Sequence, residues 1–113
     1  MLKISSSQFD GLAQNAVHAF YTGLGAELMT FIEHDMPEEI APDQRVPRIN
    51  HAFELCQFYG IETEADIARL SHILLAFPPD FFQQPDYQWA HDILSSGEPA
   101  SDRVDRLEHI LLT

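Results

Sequence analysis

The sequence predicts an all-α fold, a single domain over residues 1–113 with about five helices in an antiparallel, bundle-like arrangement and no sheet. Apolar residues recur at three- and four-residue spacing in successive segments, as they do on one face of a helix. No segment shows sustained alternation of apolar and polar residues, so no strand is indicated. Prolines and serine or threonine caps divide the segments, and the short connections favour antiparallel neighbours.

The first helix is expected from about residue 8 to about residue 35. Ser7 and Asp10 form a variant of the capping box at its start, with Asp in place of Glu. Two glycines, Gly23 and Gly25, lie inside the helix and each costs about 1 kcal/mol relative to Ala. They predict a kink, a break or a close helix crossing. The apolar face comprises Phe9, Leu12, Ala13, Ala16, Phe20, Leu24, Leu28, Phe31 and Ile32.

The second helix is expected over about residues 47–59, after a connector at residues 36–47. Prolines in the connector lack the N–H of a helical ladder and disfavour helix in the preceding residue. Pro47 is tolerated in the first helical turn, and Gly60 supplies the C-terminal stop. The connector prolines are Pro37, Pro42 and Pro47, and the apolar stripe of the helix is Ile49, Ala52, Phe53, Cys56 and Tyr59.

Three further helices are predicted from residues that cap helix N-termini and from residues that terminate helices. Thr63 with Asp66 repeats the capping pattern for the third helix, which ends at Pro78-Pro79. The fourth helix opens at Pro85 or Asp86 and ends at residues 95–97, and Ser101 caps the fifth. Their apolar positions are, in order, Ile67, Leu70, Leu74 and Phe77; Trp89, Ala90, Ile93 and Leu94; and Val104, Leu107, Ile110 and Leu111.

The charge balance argues against several classes of partner. The chain has 18 acidic and 6 basic residues, a formal charge of −12 with histidine neutral. Because binding to phosphate backbones depends on Lys and Arg, we expect no direct nucleic-acid binding, and anionic membrane surfaces are disfavoured too. No segment approaches the roughly 20 apolar residues of a membrane span, and the first residues lack the apolar stretch of a signal peptide. We therefore expect a cytoplasmic protein.

The histidines and the single cysteine show no strong catalytic or metal-binding pattern. His51 and Glu54 could share a helix face, but a di-iron carboxylate site needs two Glu-x-x-His pairs in that order and two further glutamates. We interpret them as a helix-surface pair. Cys56 lies in an apolar stripe, as a buried hydrophobic residue does, and lacks the electropositive surroundings of a reactive thiolate. We expect neither enzymatic activity nor a cofactor or metal.

Two acidic clusters are candidate protein-binding surfaces. The first has five carboxylates within eleven residues and no Lys or Arg, and we call it the acidic connector. The second surrounds the start of the third helix. A solvated loop would explain the first cluster, and stabilisation of a helix N-terminus would explain the second. The functional alternative is docking of a basic partner, whose association complementary charge accelerates. The acidic connector comprises Glu33, Asp35, Glu38, Glu39 and Asp43, and the second cluster comprises Glu62, Glu64 and Asp66.

The segment from Phe77 to Trp89 combines aromatic residues with three prolines. Most of these aromatics are expected to fill the helical core. A rigid loop that leaves one or two of them outside would supply the anchor residues typical of interface hot spots. Phe82 and Tyr87 are the two that we expect to be most exposed.

Several short pieces of the chain together resemble a known group of proteins. They resemble small acidic all-helical bacterial proteins of type VI secretion and other contractile-injection loci, encoded beside toxic effectors. The resemblance implies an immunity protein that blocks a cognate toxin, or an adaptor that loads an effector, and it brings no catalytic residues. The pieces are Met1-Leu2-Lys3-Ile4 to Phe9, Tyr59-Gly60-Ile61, Ala65-Asp66-Ile67, Pro79-Asp80-Phe81, Trp89-Ala90 and Ile93-Leu94.

Charge and resemblance lead to the hypothesis that the chain inhibits a toxic effector by stoichiometric binding. Nuclease toxins present basic clefts to phosphate, and an acidic helical protein can occupy such a cleft or bind beside it. Both acidic clusters would steer the partner. Phe82, Tyr87 or Trp89 would give the desolvated contact. The alternative hypothesis, an adaptor or chaperone that loads a secreted effector, requires a groove between helices for an apolar or amphipathic segment.

Overall fold

A computed structural model describes residues 13–112, and within this range the chain forms five α-helices and no strand, which confirms the expected all-α fold. Two short 3-10 turns, Phe81–Gln83 and Pro85–Tyr87, lie between the third and fourth helices. The predicted cap at Ser7 and Asp10 lies outside the described residues. The helices are α1 (Ala13–Asp35), α2 (Pro42–Phe58), α3 (Glu64–Leu74), α4 (Gln88–Leu94) and α5 (Ala100–Leu112).

Side chains from all five helices contribute to a hydrophobic core, and α2 packs against both α1 and α3. The Tyr21 and Phe53 rings, on α1 and α2, have centroids 4.8 Å apart. On the other side of α2, Cys56 faces Ser71 in the middle of α3. Helices α4 and α5 pack together, and α5 also contacts α3. The predicted core stripes are confirmed by Leu24, Leu28, Ile32, Ile49, Ala52, Cys56, Tyr59, Ile67, Leu70, Leu74, Ala90, Ile93, Leu94, Val104 and Leu107, all buried. The prediction is wrong for Ile110 and Leu111, which are exposed in the last turn of α5.

Helix α2 begins at Pro42, five residues before the predicted start at Pro47. Ala41 is extended (φ −60°, ψ 147°), as the residue before a proline tends to be, and Pro42 takes the first helical position. Pro47 lies inside the helix and cannot donate the ladder bond of its position. The connector is therefore shorter than predicted. Arg45 ties it to the helix by donating to the carbonyls of Pro37 (3.0 Å) and Ile40 (3.1 Å).

Helix α2 ends at the predicted Gly60 in a Schellman motif. The N–H of Gly60 donates to the carbonyl of Gln57 (3.1 Å), and that of Ile61 donates to the carbonyl of Cys56 (2.9 Å). Gly60 has a φ of +71°, in the left-handed region that L side chains rarely adopt. The buried Ile61 side chain completes the motif against the core.

The predicted cap of α3 is confirmed, and that of α5 is wrong. The Thr63 hydroxyl accepts from the N–H of Asp66 (3.4 Å) and donates to the Asp66 carboxylate (2.7 Å). In α5, the N–H of Arg103 donates to the Pro99 carbonyl at 3.1 Å, so the helix already begins at Ala100. Ser101 therefore lies within the first turn and not at the cap.

The structure contradicts a break in α1 at its two glycines. The helix runs without interruption from Ala13 to Asp35. A Cβ atom built on Gly23 or Gly25 would meet no atom within 4 Å, so neither glycine serves a close helix crossing. The conformational freedom of these glycines therefore destabilises α1 without a packing benefit.

Two arginines hold the C-terminal ends of helices by donating to backbone carbonyls. Arg103 donates to the carbonyls of Tyr59 (2.8 Å), just past the end of α2, and Leu94 (2.7 Å), the last residue of α4. The guanidinium of Arg48, on α2, donates to the carbonyls of Leu75 (3.2 Å) and Phe77 (2.6 Å), which follow the end of α3. Carbonyls at helix C-termini lack intrahelical donors and carry partial negative charge, so a guanidinium satisfies both the hydrogen bond and the charge.

We expect Gly23→Ala to raise the free energy of unfolding by about 0.5 to 1 kcal/mol, because alanine is the better helix former and has room for its Cβ. Gly60→Ala is the matched control and should lower it by about 1 kcal/mol or more, since the left-handed backbone strains an L residue. Urea denaturation followed by circular dichroism measures both. A destabilising Gly23→Ala would show that α1 needs this glycine.

We expect Arg103→Met to destabilise the protein by about 2 to 3 kcal/mol, because two helix-end carbonyls lose a charged donor. The matched control is Arg106→Met on the same helix. Arg106 forms only a solvent-exposed pair with Glu98, so its removal should cost less than about 1 kcal/mol. Urea denaturation measures the free energy of unfolding of both variants. An equal decrease in Arg103→Met and Arg106→Met would contradict the structural role of Arg103.

Candidate protein-binding site

Every arginine in the described part of the chain is held by intramolecular bonds. Arg45, Arg48 and Arg103 donate to backbone carbonyls. Arg69 pairs with Asp66, Asp105 and Glu108, and Arg106 pairs with Glu98. These arginines neutralise few of the carboxylates, so the remaining acidic surface keeps its charge.

All five carboxylates of the acidic connector are exposed. Within residues 13–112 none of them forms an ion pair. The backbone beneath them is fixed, because Ile40 is buried in the core and Arg45 holds the Pro37 and Ile40 carbonyls. The acidic connector therefore presents unneutralised charge on an anchored loop.

The second acidic cluster is less accessible. Glu62 is exposed and Glu64 is half-buried. Asp66 is 7% exposed, accepts the Thr63 hydroxyl and lies 3.7 Å from Arg69. Its carboxylate is thus engaged in capping α3, in agreement with the structural explanation of this cluster.

The structure does not bring the two acidic clusters together. Asp43 lies in the first turn of α2, and Glu62 follows its last turn. The fifteen residues from Asp43 to the end of α2 rise by about 23 Å. This separation places the clusters at opposite ends of α2, so a small partner surface contacts one of them at a time.

The predicted aromatic segment forms a cluster centred on Phe77. The rings of Phe81, Tyr87 and Trp89 have centroids 5.1, 5.5 and 6.1 Å from that of Phe77. Phe77 and Phe81 are buried, as expected for core residues. Phe82 and Tyr87 are half-buried, as is Trp89, so none of the three projects freely into solvent.

Phe82 lies in an apolar groove beside α2, which we call the α2 groove. It consists of two adjoining cavities of about 370 and 260 Å³ that share His51 and Phe82 in their linings. The first cavity is also lined by Gln44, Pro47, Arg48, Pro79 and Asp80, and the second by Glu54, Leu55 and Phe58. The groove therefore follows α2 from its first turn to its last, with the loop after α3 as its second wall.

Phe58 is the aromatic residue that sequence reasoning missed. Its side chain is 70% exposed at the end of α2 and its ring lies 5.0 Å from that of Tyr59. A signal was present, because Phe58 falls outside the apolar stripe of α2 and so points away from the core. An aromatic residue on the polar face of a helix is a candidate interface anchor.

The wall of the α2 groove is fixed by hydrogen bonds. The Nε2–H of His51 donates to the Pro79 carbonyl at 2.7 Å. Arg48 holds the Leu75 and Phe77 carbonyls, and burial lowers the pKa of its guanidinium. Because α2 itself binds the loop at these points, the groove is already formed in the free protein.

The side chains that could carry chemistry have structural contacts. His51 Nδ1 lies 4.0 Å from the Glu54 carboxylate, which is the predicted helix-surface pair. The Tyr59 hydroxyl and His91 Nδ1 share a hydrogen bond of 2.9 Å, and burial raises the pKa of Tyr59 to about 12. Cys56 is fully buried, as predicted. Within residues 13–112 no group of three or more His, Cys, Asp or Glu side chains is placed to bind a metal ion.

Comparison with known proteins assigns no family to this chain. No family model matches it, and neither does any curated protein or solved structure. The resemblance to proteins of contractile-injection loci therefore stays a prediction. Among the described helices, none combines the length and apolar character needed to cross a membrane.

We expect the stability of the protein to fall as the pH rises above about 9. Burial raises the pKa of the Cys56 thiol from 9.0 to about 12, so the unfolded state loses this proton first and alkaline pH favours unfolding. Urea denaturation at increasing pH measures the loss, and Cys56→Ala should reduce it. The native thiol should also resist a thiol reagent that labels the unfolded chain, since the thiolate is the reactive form. Equal labelling of both states would contradict this.

Proposed function

We propose that this chain is a cytoplasmic immunity protein that binds a cognate toxic effector, possessing a basic surface, and neutralises it stoichiometrically. The single observation that carries the proposal is the acidic connector, whose five exposed carboxylates form no ion pair within the described residues. Clustered charge of one sign accelerates the association of an oppositely charged partner and selects against acidic ones. A nuclease toxin, with a basic cleft for phosphate, has the matching chemistry.

The anchoring of the acidic connector supports its role as a docking surface. Repulsion between clustered carboxylates opposes a compact loop. The loop is nevertheless held, by burial of Ile40 and by the bonds from Arg45. A preformed surface loses less conformational entropy on binding than a mobile one. The same partner would reach the half-buried Phe82 in the α2 groove, which begins one residue after Asp43.

Affinity capture followed by a toxicity assay tests the proposal. The tagged chain is used to capture partners from lysate of its native cells at low and high salt, and retained proteins are identified by mass spectrometry. The captured protein is then expressed in a host cell with and without this chain. We expect one basic protein whose retention weakens with salt and whose toxicity this chain suppresses. A captured protein whose toxicity is unaffected would overturn the immunity function.

We expect Glu38→Lys with Glu39→Lys to slow association with that captured toxin by about tenfold at low salt and to weaken its salt dependence. The matched control is Glu27→Lys with Asp92→Lys, which changes the net charge equally at exposed sites outside the acidic connector. Association rates from surface plasmon resonance distinguish the two. Equal slowing by both variants would assign the effect to net charge, and unchanged rates would remove the acidic connector from the interface.

The α2 groove favours a second candidate function, that of an adaptor or chaperone for a secreted effector. Its exposed Phe58 and apolar lining suit an amphipathic segment. Binding through apolar contact is expected to persist at high salt. Binding that depends on electrostatic steering is expected to weaken, because salt screens the charges. Capture of a large effector at high salt, with no change in its toxicity, would support the adaptor.

A further inference from the structure

We propose that the α2 groove binds an amphipathic helix of the partner, with apolar residues along one face and Lys or Arg residues on both sides of it. This inference rests on the proposed function, because the helix would belong to the same basic partner. The α2 groove would be a second contact with that partner, in addition to the acidic connector. The inference specifies the kind of segment that occupies the groove. Four lines of evidence support it: the length, the lining, the charged edges and the rigidity of the groove.

The length of the groove suits a helix. Its lining begins at Gln44 and ends at Phe58, a distance of about 21 Å along α2. A partner helix of about 14 residues would cover this length. Within residues 13–112 there is no strand edge to which an extended peptide could add, and the length of the groove matches the helix-in-groove mode.

The lining of the groove supplies the apolar contact. Pro47, His51 and Phe58 lie on one face of α2, at steps of one and two helical turns, with Phe82 opposite them. Phe58 is exposed and Phe82 half-buried, so both have surface to bury against a partner. Phe82 lies where the two cavities meet and Phe58 at one end of the groove, and aromatic side chains that a partner desolvates contribute strongly to binding energy.

Carboxylates flank the groove on both sides. Asp43 and Glu54 are eleven residues apart, about three helical turns, so they share one edge of α2. Asp80 lines the opposite wall. No arginine in the described chain pairs with these three carboxylates. Arg48 also lines the groove, but its guanidinium is bonded to the carbonyls of the wall.

The charge also selects between possible occupants. A second copy of this chain would bring a further formal charge of −12, and its described arginines are already bonded within the chain. A purely apolar helix would leave Asp43, Glu54 and Asp80 without a Lys or Arg partner. A helix with cations on both sides of its apolar face satisfies the lining and the edges together.

A synthetic helical peptide tests the groove without the toxin. The peptide has about 14 residues, with Leu and Phe at helical spacing on one face and Lys or Arg on both sides. Its binding to the full chain is measured by fluorescence anisotropy, and amide chemical shifts in two-dimensional NMR locate it. We expect shifts at Asp80 to Phe82 and along α2, and little binding by a peptide with Glu in place of every Lys and Arg.

Matched variants separate the groove from the rest of α2. Phe58→Ser should weaken peptide binding by about tenfold, the effect expected at an interface hot spot. Val46→Ser is the control, because Val46 is 56% exposed on the same helix but lines the cavity between α1 and α2. Glu54→Lys should weaken binding and reduce its salt dependence. Circular dichroism checks that each variant retains its helices.

The outcomes distinguish this inference from the proposed function. No binding, shifts confined to other faces, or equal losses from Phe58→Ser and Val46→Ser would overturn the inference. Equal binding of the cationic and the Glu peptides would overturn its charge requirement. A dimer that Phe58→Ser converts to a monomer would show that a second copy fills the groove. If Phe58→Ser still neutralises the toxin, the immunity function is supported and the role of the groove in it is overturned. If the peptide binds but no toxin is neutralised, the groove is supported and the immunity function is overturned.

Discussion

The fold depends on the bonding of arginine side chains to backbone carbonyls at helix ends. A chain with 18 acidic and 6 basic residues has few cations, yet Arg48 and Arg103 make these bonds and Arg45 bonds carbonyls of the connector, instead of neutralising carboxylates. Arg103 is the most connected, since its guanidinium joins the ends of α2 and α4 to the start of α5. Helix termini buried without donors would be costly, so this use of arginine is a structural requirement. The acidic surface follows from the composition, whose formal net charge is −12, and this use of arginine leaves still more carboxylates without a cationic partner.

The proposed function uses two kinds of binding contact, and α2 connects them. Its first turn continues the acidic connector, where charge acts over a Debye length of roughly 8 Å and governs the encounter with a partner. Its outer face forms the floor of the α2 groove, where contact must be close and dehydrated to contribute. Under the proposed function, a partner guided by the acidic connector arrives beside the α2 groove. Steering and affinity would then depend on different residues, with Asp43 in the first turn of α2 adjoining both surfaces.

The sequence predicted the helices better than the site. Periodicity identified the buried stripes, and Thr63 and Gly60 marked their boundaries correctly, because those signals act within one turn of the chain. The start of α2 was misplaced because Pro47 is accommodated inside a helix whose first turn is held by Arg45, a contact that spacing alone does not reveal. The groove was missed because its second wall comes from residues more than twenty positions away. The carboxylates and the Thr63–Asp66 cap were visible in the sequence, while the pairing of Arg69 with Asp105 and Glu108, which joins α3 to α5, was not.

The separation between structural cations and surface carboxylates has an evolutionary consequence. Because the acidic connector forms no ion pairs within the described chain, its residues can be exchanged without removing a contact that holds the helices. The arginines at the helix ends have no such freedom, since each satisfies carbonyls from distant segments. Recognition can therefore diverge between lineages while the scaffold stays constant. A surface of this kind can follow changes in a partner by single substitutions, none of which needs a compensating change in the core.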